Sequence, residues 1–264
     1  MSAAVPHAVP RAVPRTVIVT GGARRIGAVI ARGLADAGWR VAIHHHHSEL
    51  DRALLGDLAE DAPILTGDLA DAATPAALIA AARAAFGGPV GAVVNSASMF
   101  AYDRPPLADA ASLREHEAVN LHAPVLLASA LAAQDDLGAG AVVNILDQKL
   151  ANLNPDFFSY TCAKAGLAAA TVMLAQGLGP RIRVNAVAPG ISLPSGDQSE
   201  EEFHAVASRN LLGRPVDVRD IARATAFLLS ARGVTGQTVF VDNGQRFLPK
   251  TRDVMFETRQ GAGA

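Results

Sequence analysis

The chain has 264 residues, half of them apolar and 18% charged, and its formal net charge is −2 at pH 7. This length and apolar content predict one large buried core, most simply a single α/β domain. Because the charges are balanced and no basic stripe is present, nucleic acid is not an expected partner. No apolar run approaches the ~20 residues of a membrane span, so no membrane contact is expected.

The cysteine content and the N-terminus add to these exclusions. The single cysteine, Cys162, excludes a disulfide framework and cannot form a structural zinc site by itself. Residues 1–15 contain a degenerate Ala-Val-Pro repeat but no apolar segment typical of a secretion signal. We interpret residues 1–15 as a disordered lead-in to one domain over residues 16–264, and we expect a cytoplasmic enzyme.

A strand, a glycine-rich turn and a helix open the predicted domain. The strand covers Thr16–Thr20, and the helix runs through Ala37 with apolar residues at helical spacing. A turn of this kind at a helix N-terminus presents backbone N–H groups to a pyrophosphate. The turn residues predicted to hold a dinucleotide are Gly21, Arg24, Arg25, Ile26 and Gly27.

The end of the second predicted strand, Arg40–His44, indicates which dinucleotide binds. An NAD site carries an acidic residue about 20 residues past the glycines, where it binds the ribose 2′-hydroxyl. Here that place is taken by four histidines and a serine, with no carboxylate before Glu49. Arg24 and Arg25 lie in the glycine-rich turn just beneath the end of this strand. The site therefore suits a 2′-phosphate, and NADP(H) is the predicted cofactor. The residues assigned to this part of the site are His45, His46, His47 and Ser48.

No metal is predicted at the four histidines. Consecutive side chains on a strand point alternately to opposite faces, so they cannot all bind one ion. A purification tag is equally disfavoured, because the run has only four histidines and lies within an α/β pattern.

Two further strand ends carry candidate cofactor residues. The predicted helices and strands of this region are Ser48–Glu60, Ala62–Thr66, Thr74–Phe86 and Val90–Asn95. Asp68, which is followed by Leu69, either accepts a hydrogen bond from the adenine amino group or opens a polar loop. The small residues after the fourth strand, where a cofactor ribose can approach, are Asn95, Ser96, Ala97 and Ser98.

The segment beyond the fourth strand contains aromatic residues and a long helix. Phe100 and Tyr102 are either core residues or able to stack on a flat substrate. A helix is predicted from Leu107 to Ala133, with a break near Pro124. Asn120 in its interior is a poor helix former, which indicates either an exposed side chain or a kink at which it holds a water.

The stretch from Ala141 to Gly166 carries the predicted chemistry. A buried strand at Ala141–Leu146 ends abruptly at Asp147, and a helix then carries Tyr160 and Lys164 four residues apart. This spacing places the phenol and the ammonium group on one helical face. Because a nearby positive charge favours phenolate, it lowers the pKa of a tyrosine, and Tyr160 is the predicted proton donor.

The remaining pattern completes a parallel sheet. Its predicted elements are the strands Arg181–Val187 and Thr238–Val241 and the helix Asp217–Ser230. The turn assigned to the cofactor after the sixth strand consists of Pro189, Gly190, Ile191 and Ser192. The polar, acidic stretch at residues 193–213 is the predicted lid over the site. Six or seven strands alternating with helices predict a doubly wound, Rossmann-type parallel sheet with helices on both faces and the site at its carboxyl edge.

These residues, taken from Val17 to Val241, resemble the short-chain dehydrogenase/reductase family. The markers that occur in order are Thr20, Gly21 to Gly27, Asp68, Asn95-Ser96-Ala97-Ser98, Asn120, Tyr160, Lys164, Asn185, Pro189 and Gly190. The chain departs from the family pattern at Arg25, which replaces a glycine, and at Asp147, which replaces the usual catalytic serine. Together with Ser98 and Phe100, these departures resemble the pteridine reductase branch, although His47 stands where an arginine would be expected.

The resemblance implies a role for each of these residues. Tyr160 would donate a proton, and Lys164 would lower its pKa and hold the nicotinamide ribose. Asn120 would place a water beside Lys164. Phe100 would stack on a pterin opposite the nicotinamide, with Ser98 beside it, and Arg25 would reach both substrate and cofactor phosphates. The family also implies a homotetramer or homodimer formed through the long helices.

Asp147 favours one function among three hypotheses. A serine there would donate to a developing alkoxide, whereas an ionised aspartate would repel it. An aspartate suits a C=N substrate with N–H donors, such as a pterin, or else it simply caps the following loop. The sequence therefore predicts an NADPH-dependent pteridine reductase. The alternatives are a dehydrogenase of ketones or sugar alcohols and a non-catalytic NADPH-binding sensor.

Overall fold

The computed structural model describes residues 12–194, 199–253 and 256. Within them a parallel sheet has the strand order β3-β2-β1-β4-β5-β6-β7. The strands are β1 Thr16–Thr20, β2 Arg40–His45, β3 Ile64–Thr66, β4 Ala92–Asn95, β5 Gly140–Ile145, β6 Ile182–Pro189 and β7 Thr238–Val241. The predicted doubly wound sheet is confirmed, and the chain reverses its direction of winding between β1 and β4, where such sheets bind ligands.

Helices cover both faces of this sheet. They are α1 Arg25–Asp36, α2 Arg52–Leu55, α3 Leu58–Asp61, α4 Thr74–Phe86, α5 Ala110–Glu117, α6 Ala123–Ala132, α7 Phe158–Leu178, α8 Glu200–Ala207 and α9 Val218–Ser230. Side chains alternate along β1, so that Val17 and Val19 pack towards α1 and α9 while Ile18 packs towards α4 and α6. Burial on both faces explains why the strands are apolar throughout.

Two predicted helices are interrupted. The helix expected at Ser48–Glu60 forms as α2 and α3, because Gly56 between them adopts a φ of +59° that no helix accommodates. The helix expected from Leu107 to Ala133 forms as α5 and α6, joined by a π-helical turn at Ala118–His122. The predicted break near Pro124 therefore begins six residues earlier, at Ala118, and Pro124 lies in the first turn of α6.

Helix α7 is long and apolar enough to cross a membrane by length and composition. However, half of its apolar window is buried inside the fold, as in a core helix. Its inner face packs beside β6, and its first turns carry Tyr160 and Lys164. The helix is therefore the element that delivers both predicted catalytic side chains to the sheet edge.

The segments assigned to the lead-in and the lid are described in part. Residues 1–11 and 195–198 lie outside the described residues. Residues 12–15, which the sequence assigns to the lead-in, pack on the sheet: the Arg15 carbonyl accepts from Arg40 N at 2.8 Å. Residues 12–15 therefore belong to the folded domain rather than to the lead-in. The predicted lid contains α8, whose Ser199 forms a capping box with Glu202.

Candidate active site

A cleft of about 1100 Å³ lies at the carboxyl ends of the strands. Most of the predicted site residues line it: Gly21, Arg24, Arg25, Ile26, Gly27, His45, His46, Ser48, Asp68, Leu69, Ser96, Ala97, Ser98, Phe100, Asp147, Tyr160, Lys164, Pro189, Gly190, Ile191 and Ser192. Three others do not line it, namely His47, Asn95 and Asn120. The fold therefore brings most of the predicted residues to one cleft and places these three outside its lining.

The glycine turn is packed so closely that side chains are excluded from it. A Cβ atom on Gly27 would lie 2.0 Å from the carbonyl oxygen of Gly21, and one on Gly21 would lie 2.8 Å from Cα of Ala97. Gly21 also adopts a φ of +62°, which favours glycine. Arg25 begins α1 with a φ of +53°, and its guanidinium donates to the Pro194 carbonyl at 2.6 Å. Arg25 thereby connects the glycine turn to the start of the predicted lid.

The N-terminus of α1 fits a pyrophosphate. Its N-cap, Arg24, makes no capping hydrogen bond with its side chain, and the first turn contains no acidic residue. Backbone N–H groups at such an end have no intrahelical acceptor and attract anions. Opposite them, Thr20 Oγ1 accepts from the backbone N–H groups of Ser96 and Ala97 at 3.0 and 3.1 Å. This hydroxyl holds the β4 turn against the glycine turn, which leaves a narrow cradle for a dinucleotide.

The histidine run has one buried member, His44, one partly buried member, His45, and two exposed members, His46 and His47. His44 is only 2% exposed, and its ring connects Gly21 N at 3.4 Å to the Gly67 carbonyl at 3.0 Å. Burial lowers its pKa. His46 lies 3.9 Å from Asp68, and its ring packs at 3.5 Å on that of His47. Within the described residues no three His, Cys, Asp or Glu side chains form a metal-binding group.

Asp68 is the opening residue of a loop as well as a residue of the cleft. Its Oδ1 accepts from Ala70 N at 2.9 Å, as the loop alternative requires. Its side chain remains about half exposed at the cleft, beside Leu69. The second carboxylate oxygen thus remains available to a ligand, and the two alternatives are compatible.

The hydroxyl of Tyr160 donates to Asp147 Oδ2 at 2.9 Å. Burial, the Asp147 charge and this hydrogen bond raise the pKa of Tyr160 well above its ordinary value. Burial also raises the pKa of Asp147, although the backbone N–H of Lys149 and the Tyr160 hydroxyl oppose the change. The two groups therefore share a hydrogen-bonded proton at the floor of the cleft.

Lys164 lies beneath this pair and points to the backbone. Its Nζ donates to the Ile145 carbonyl at 2.7 Å and stands 5.7 Å from the centre of the Tyr160 ring. Burial lowers the pKa of Lys164 to about 8. The prediction that Lys164 lowers the pKa of Tyr160 is wrong for this arrangement, because burial and Asp147 control the phenol.

Asn120 is fully buried at the π-helical turn, so the kink interpretation of this residue is the right one. Its Oδ1 accepts from Met99 N at 2.9 Å, and its Nδ2 donates to the Met99 carbonyl at 2.8 Å. These hydrogen bonds fix the backbone of the loop after β4, and the water beside Lys164 stays a prediction.

Asn95 is also structural. Its Nδ2 donates to Asn144 Oδ1 at 2.8 Å, and Asn144 in turn donates to Thr171 Oγ1 at 2.9 Å. This chain of buried amides and a hydroxyl connects β4, β5 and α7 below the cleft. It positions the strand ends rather than a ligand.

Phe100 forms one wall of the cleft. Its ring stacks on Phe157 at 4.1 Å and meets the edge of Tyr160 at 4.8 Å, with 44% of the residue exposed. An aromatic ring that is stacked on one side and exposed beside a phenol can receive a flat ligand on its open side.

The chain is similar to known proteins in both sequence and fold. A family model for enoyl-(acyl carrier protein) reductases matches residues 21–246. The chain belongs to the short-chain dehydrogenase/reductase family. The crystal structure of FolM alternative dihydrofolate reductase 1 from Brucella suis in complex with NADP superimposes with a TM-score of 0.82 at 40% identity, covering 90% of this chain and 97% of that one.

Two further relatives are similar to this chain over most of their length. An uncharacterised oxidoreductase of Mycobacterium tuberculosis is 34% identical over 248 residues, covering 87% of this chain and 91% of its own length. An L-rhamnose 1-dehydrogenase of Azotobacter vinelandii is 34% identical over 245 residues, covering 87% of this chain and 95% of its own. These similarities support an oxidoreductase activity without indicating one substrate.

The sequence did not predict the cleft residues Lys149, Arg252 and Asp253, which contact the buried residue Asp156. Asp156 is fully buried and accepts from Tyr102 Oη at 3.2 Å, Arg252 Nε at 2.7 Å and Asp253 N at 2.8 Å. The nearby Lys149 donates to the Asp156 carbonyl at 2.6 Å and pairs with the Asp253 carboxylate at 3.1 Å. One carboxylate thus joins the loop after β4, the loop after β5 and the C-terminal segment.

The turn after β6 completes the opposite wall. Gly190 approaches Asp242 so closely that a Cβ atom would lie 2.8 Å from its Cα. Ile191 N donates to Gln245 Oε1 at 3.0 Å. Gln245 was not predicted as a site residue, and it holds this turn in place from the segment that follows β7.

Proposed function

We propose that this protein reduces the C=N bond of a dihydropterin-type ring with NADPH. The observation that carries the proposal is the 2.9 Å hydrogen bond from Tyr160 to Asp147. A serine at position 147 would donate to a carbonyl oxygen, whereas a carboxylate accepts from ring N–H groups. The protonated form of Asp147 would share in delivering a proton to nitrogen.

NADP(H) is the cofactor. The NADP complex of the Brucella suis FolM protein supports it, as does the absence of an acidic residue at the end of β2. The residues that would hold it are the glycine turn, the first turn of α1, the histidine segment, Asp68 and the turns after β4 and β6. When bound, this group supplies a hydride.

The protein supplies the proton and its placement. A raised pKa keeps Tyr160 protonated near neutral pH, as a donor must be. Asp147, which holds the Tyr160 hydroxyl, orients that proton and can return one to it. Lys164, with a pKa of about 8, lies close enough to neutrality to exchange protons with the site.

Substrate positioning falls to three residues on the walls of the cleft. Phe100 offers an exposed aromatic face beside Tyr160, suited to a flat ring. Ser98 lines the cleft two residues earlier, and Arg25 also lines it. A planar, polar heterocycle matches this set better than an aliphatic ketone does.

The competing function is a carbonyl or sugar-alcohol dehydrogenase. It has support from the L-rhamnose 1-dehydrogenase of Azotobacter vinelandii, which is similar over nearly its whole length. A non-catalytic NADPH sensor has less support, because Tyr160, Lys164 and Asp147 converge in one cleft.

The decisive experiment follows NADPH oxidation with dihydrobiopterin, dihydromonapterin and dihydrofolate beside a panel of ketones, aldehydes and sugars. We expect turnover of a dihydropterin that is lost in Tyr160→Phe and reduced in Asp147→Ser. Ketone turnover with pterins inert, improved by Asp147→Ser, would overturn the proposal and favour the dehydrogenase. NADPH binding without any turnover would favour the sensor.

We also propose that the protein is a cytoplasmic homotetramer or homodimer assembled through α7. The outer face of this helix exposes Val172 and Met173 at 45% and 62%, beside small residues such as Ala165 and Ala169. Apolar helix faces of this kind favour close helix packing. Light scattering on the purified protein, with Met173→Lys as the interface variant, tests the assembly. A wild-type monomer at high concentration would contradict it.

A further inference from the structure

We infer that Asp103 is a positioning residue for Tyr160, acting through the first turn of α7. The inference rests on the proposed function only in taking Tyr160 as the proton donor. Asp103 belongs to the loop after β4 and lies outside the cleft lining. It is 8% exposed, which is unusual for a carboxylate.

Helix α7 begins without a side-chain cap of its own. Its N-cap residue is Phe157, held at a φ of +53°, and a phenyl ring cannot accept a hydrogen bond. The first backbone N–H groups of a helix need acceptors from elsewhere when they are buried. The start of the helix that carries Tyr160 therefore depends on another segment.

Asp103 supplies these acceptors from 56 residues away. Its carbonyl accepts from Phe158 N at 3.2 Å, and its Oδ1 accepts from Ser159 N at 3.0 Å. Its Oδ2 accepts from the hydroxyls of Ser159 and Ser112. Burial opposes ionisation of Asp103, but the hydrogen bonds from Ser159 and Ser112 outweigh it and lower the pKa of the carboxyl.

The residue after Ser159 is Tyr160, so the orientation of this capped turn sets the direction of the phenol. Asp103 also follows Phe100 by three residues, and the Phe100 ring meets the edge of Tyr160 at 4.8 Å. The loop is fixed further by Asn120 at Met99 and by His116 Nε2, which accepts from Ala101 N at 3.3 Å. The Asp103 carboxylate therefore fixes the position of Tyr160 relative to Phe100.

The expected effect follows from how little displacement catalysis tolerates. Catalytic groups must be held within about 0.5 Å of productive geometry. A displacement of about 1 Å can lower the rate by about 100-fold. We expect Asp103→Ala to lower kcat by about that factor, and Asp103→Asn, which keeps an acceptor for Ser159 N, by less, about tenfold.

The matched control is Asp109→Ala. Asp109 is also a capping aspartate in the same loop, but it accepts from Ala111 N and Ser112 N and caps α5. Both alanine variants lose a cap and some stability, about 1 kcal/mol in a typical case. Only Asp103→Ala is expected to raise the solvent isotope effect on kcat, because proton delivery from a displaced Tyr160 becomes slower. The Kd for NADPH stays at the wild-type value in both.

A second readout needs no substrate. The chain has two tyrosines, so 3-fluorotyrosine labelling gives two fluorine resonances, and Tyr160→Phe identifies that of Tyr160. We expect Asp103→Ala to shift or broaden the Tyr160 resonance of the folded protein, and Asp109→Ala to leave it unchanged. An unaltered Tyr160 resonance in folded Asp103→Ala would overturn the inference even if the protein reduced no pterin. Pterin turnover failing in the wild type would overturn only the proposed function.

Discussion

Different interactions hold the two ends of the cleft in shape. At the cofactor end, glycines allow backbone to approach backbone, and a Cβ atom on Gly27 would lie 2.0 Å from Gly21 O. At the substrate end, side-chain carboxylates hold together segments that are far apart in the chain. Asp103 reaches 56 residues along the chain to Ser159, and Asp156 reaches 96 residues to Arg252.

The two ends of the cleft therefore tolerate different kinds of substitution. A steric cradle fails when any atom is added to it, whatever the polarity of that atom. An end fixed by buried carboxylates tolerates changes of shape but fails when an acceptor is lost, because unsatisfied buried donors are costly. The cofactor end is therefore suited to one ligand, whereas substitutions at the substrate end can change which substrate binds.

The largest expected effect comes from Tyr160→Phe, which removes the proton donor and leaves the cofactor end intact. We expect kcat to fall by about 10²–10⁴-fold, the range for losing a general acid. The Kd for NADPH, measured by fluorescence, should not change, because the phenol does not contact the glycine turn. A parallel loss of NADPH affinity would show that the two ends are not independent.

Gly27→Ala tests the steric end. The added methyl group would overlap the Gly21 carbonyl, and overpacking of this kind costs about 1–3 kcal/mol or more. We expect a lower free energy of unfolding in urea and weaker NADPH binding. Gly88→Ala is the matched control, since a Cβ there would meet nothing within 4 Å. Equal effects in the two variants would contradict a steric cradle.

Lys164→Met tests whether the substrate end holds a desolvated charge. The pKa of Lys164 is lowered from 10.5 to about 8, so between these values the unfolded chain binds more protons than the folded one. The contribution of Lys164 to stability therefore rises with pH across this window, by at most about 3 kcal/mol. The difference in unfolding free energy between wild type and Lys164→Met should change accordingly from pH 7 to 10.5. A difference independent of pH would contradict the desolvation.

The smallest expected effect is that of Asp156→Asn. It weakens the contact to Arg252, and we expect a modest loss of thermal stability and a several-fold higher KM for the substrate. The kcat and the Kd for NADPH should stay near their wild-type values. Asp57→Asn is the control, because its ion pair with Arg32 is solvent-exposed and such pairs contribute little. An unchanged KM in Asp156→Asn would show that the C-terminal segment does not contribute to substrate binding.

The fold and the cofactor end could be predicted from sequence because their signals are local. Gly21 to Gly27 follows a strand and opens a helix, and Tyr160 and Lys164 are one turn apart, so that short windows contain the whole pattern. Asp103 and Asp156 lack such a signal, since each looks like an ordinary loop aspartate until its distant partners are known. The contacts of Asn120 could not be predicted either, because its partner Met99 belongs to another segment.

The contacts that Asp156 makes with several segments affect how substrate preference can change over evolution. Tyr102 and Arg252 bind the Asp156 carboxylate, and Lys149 binds the main-chain carbonyl of the same residue, so the effects of substitutions at these three positions should be epistatic rather than additive. A chimaera that received only the C-terminal segment of a relative would then acquire little of that relative's selectivity. Grafting all three segments together would transfer it.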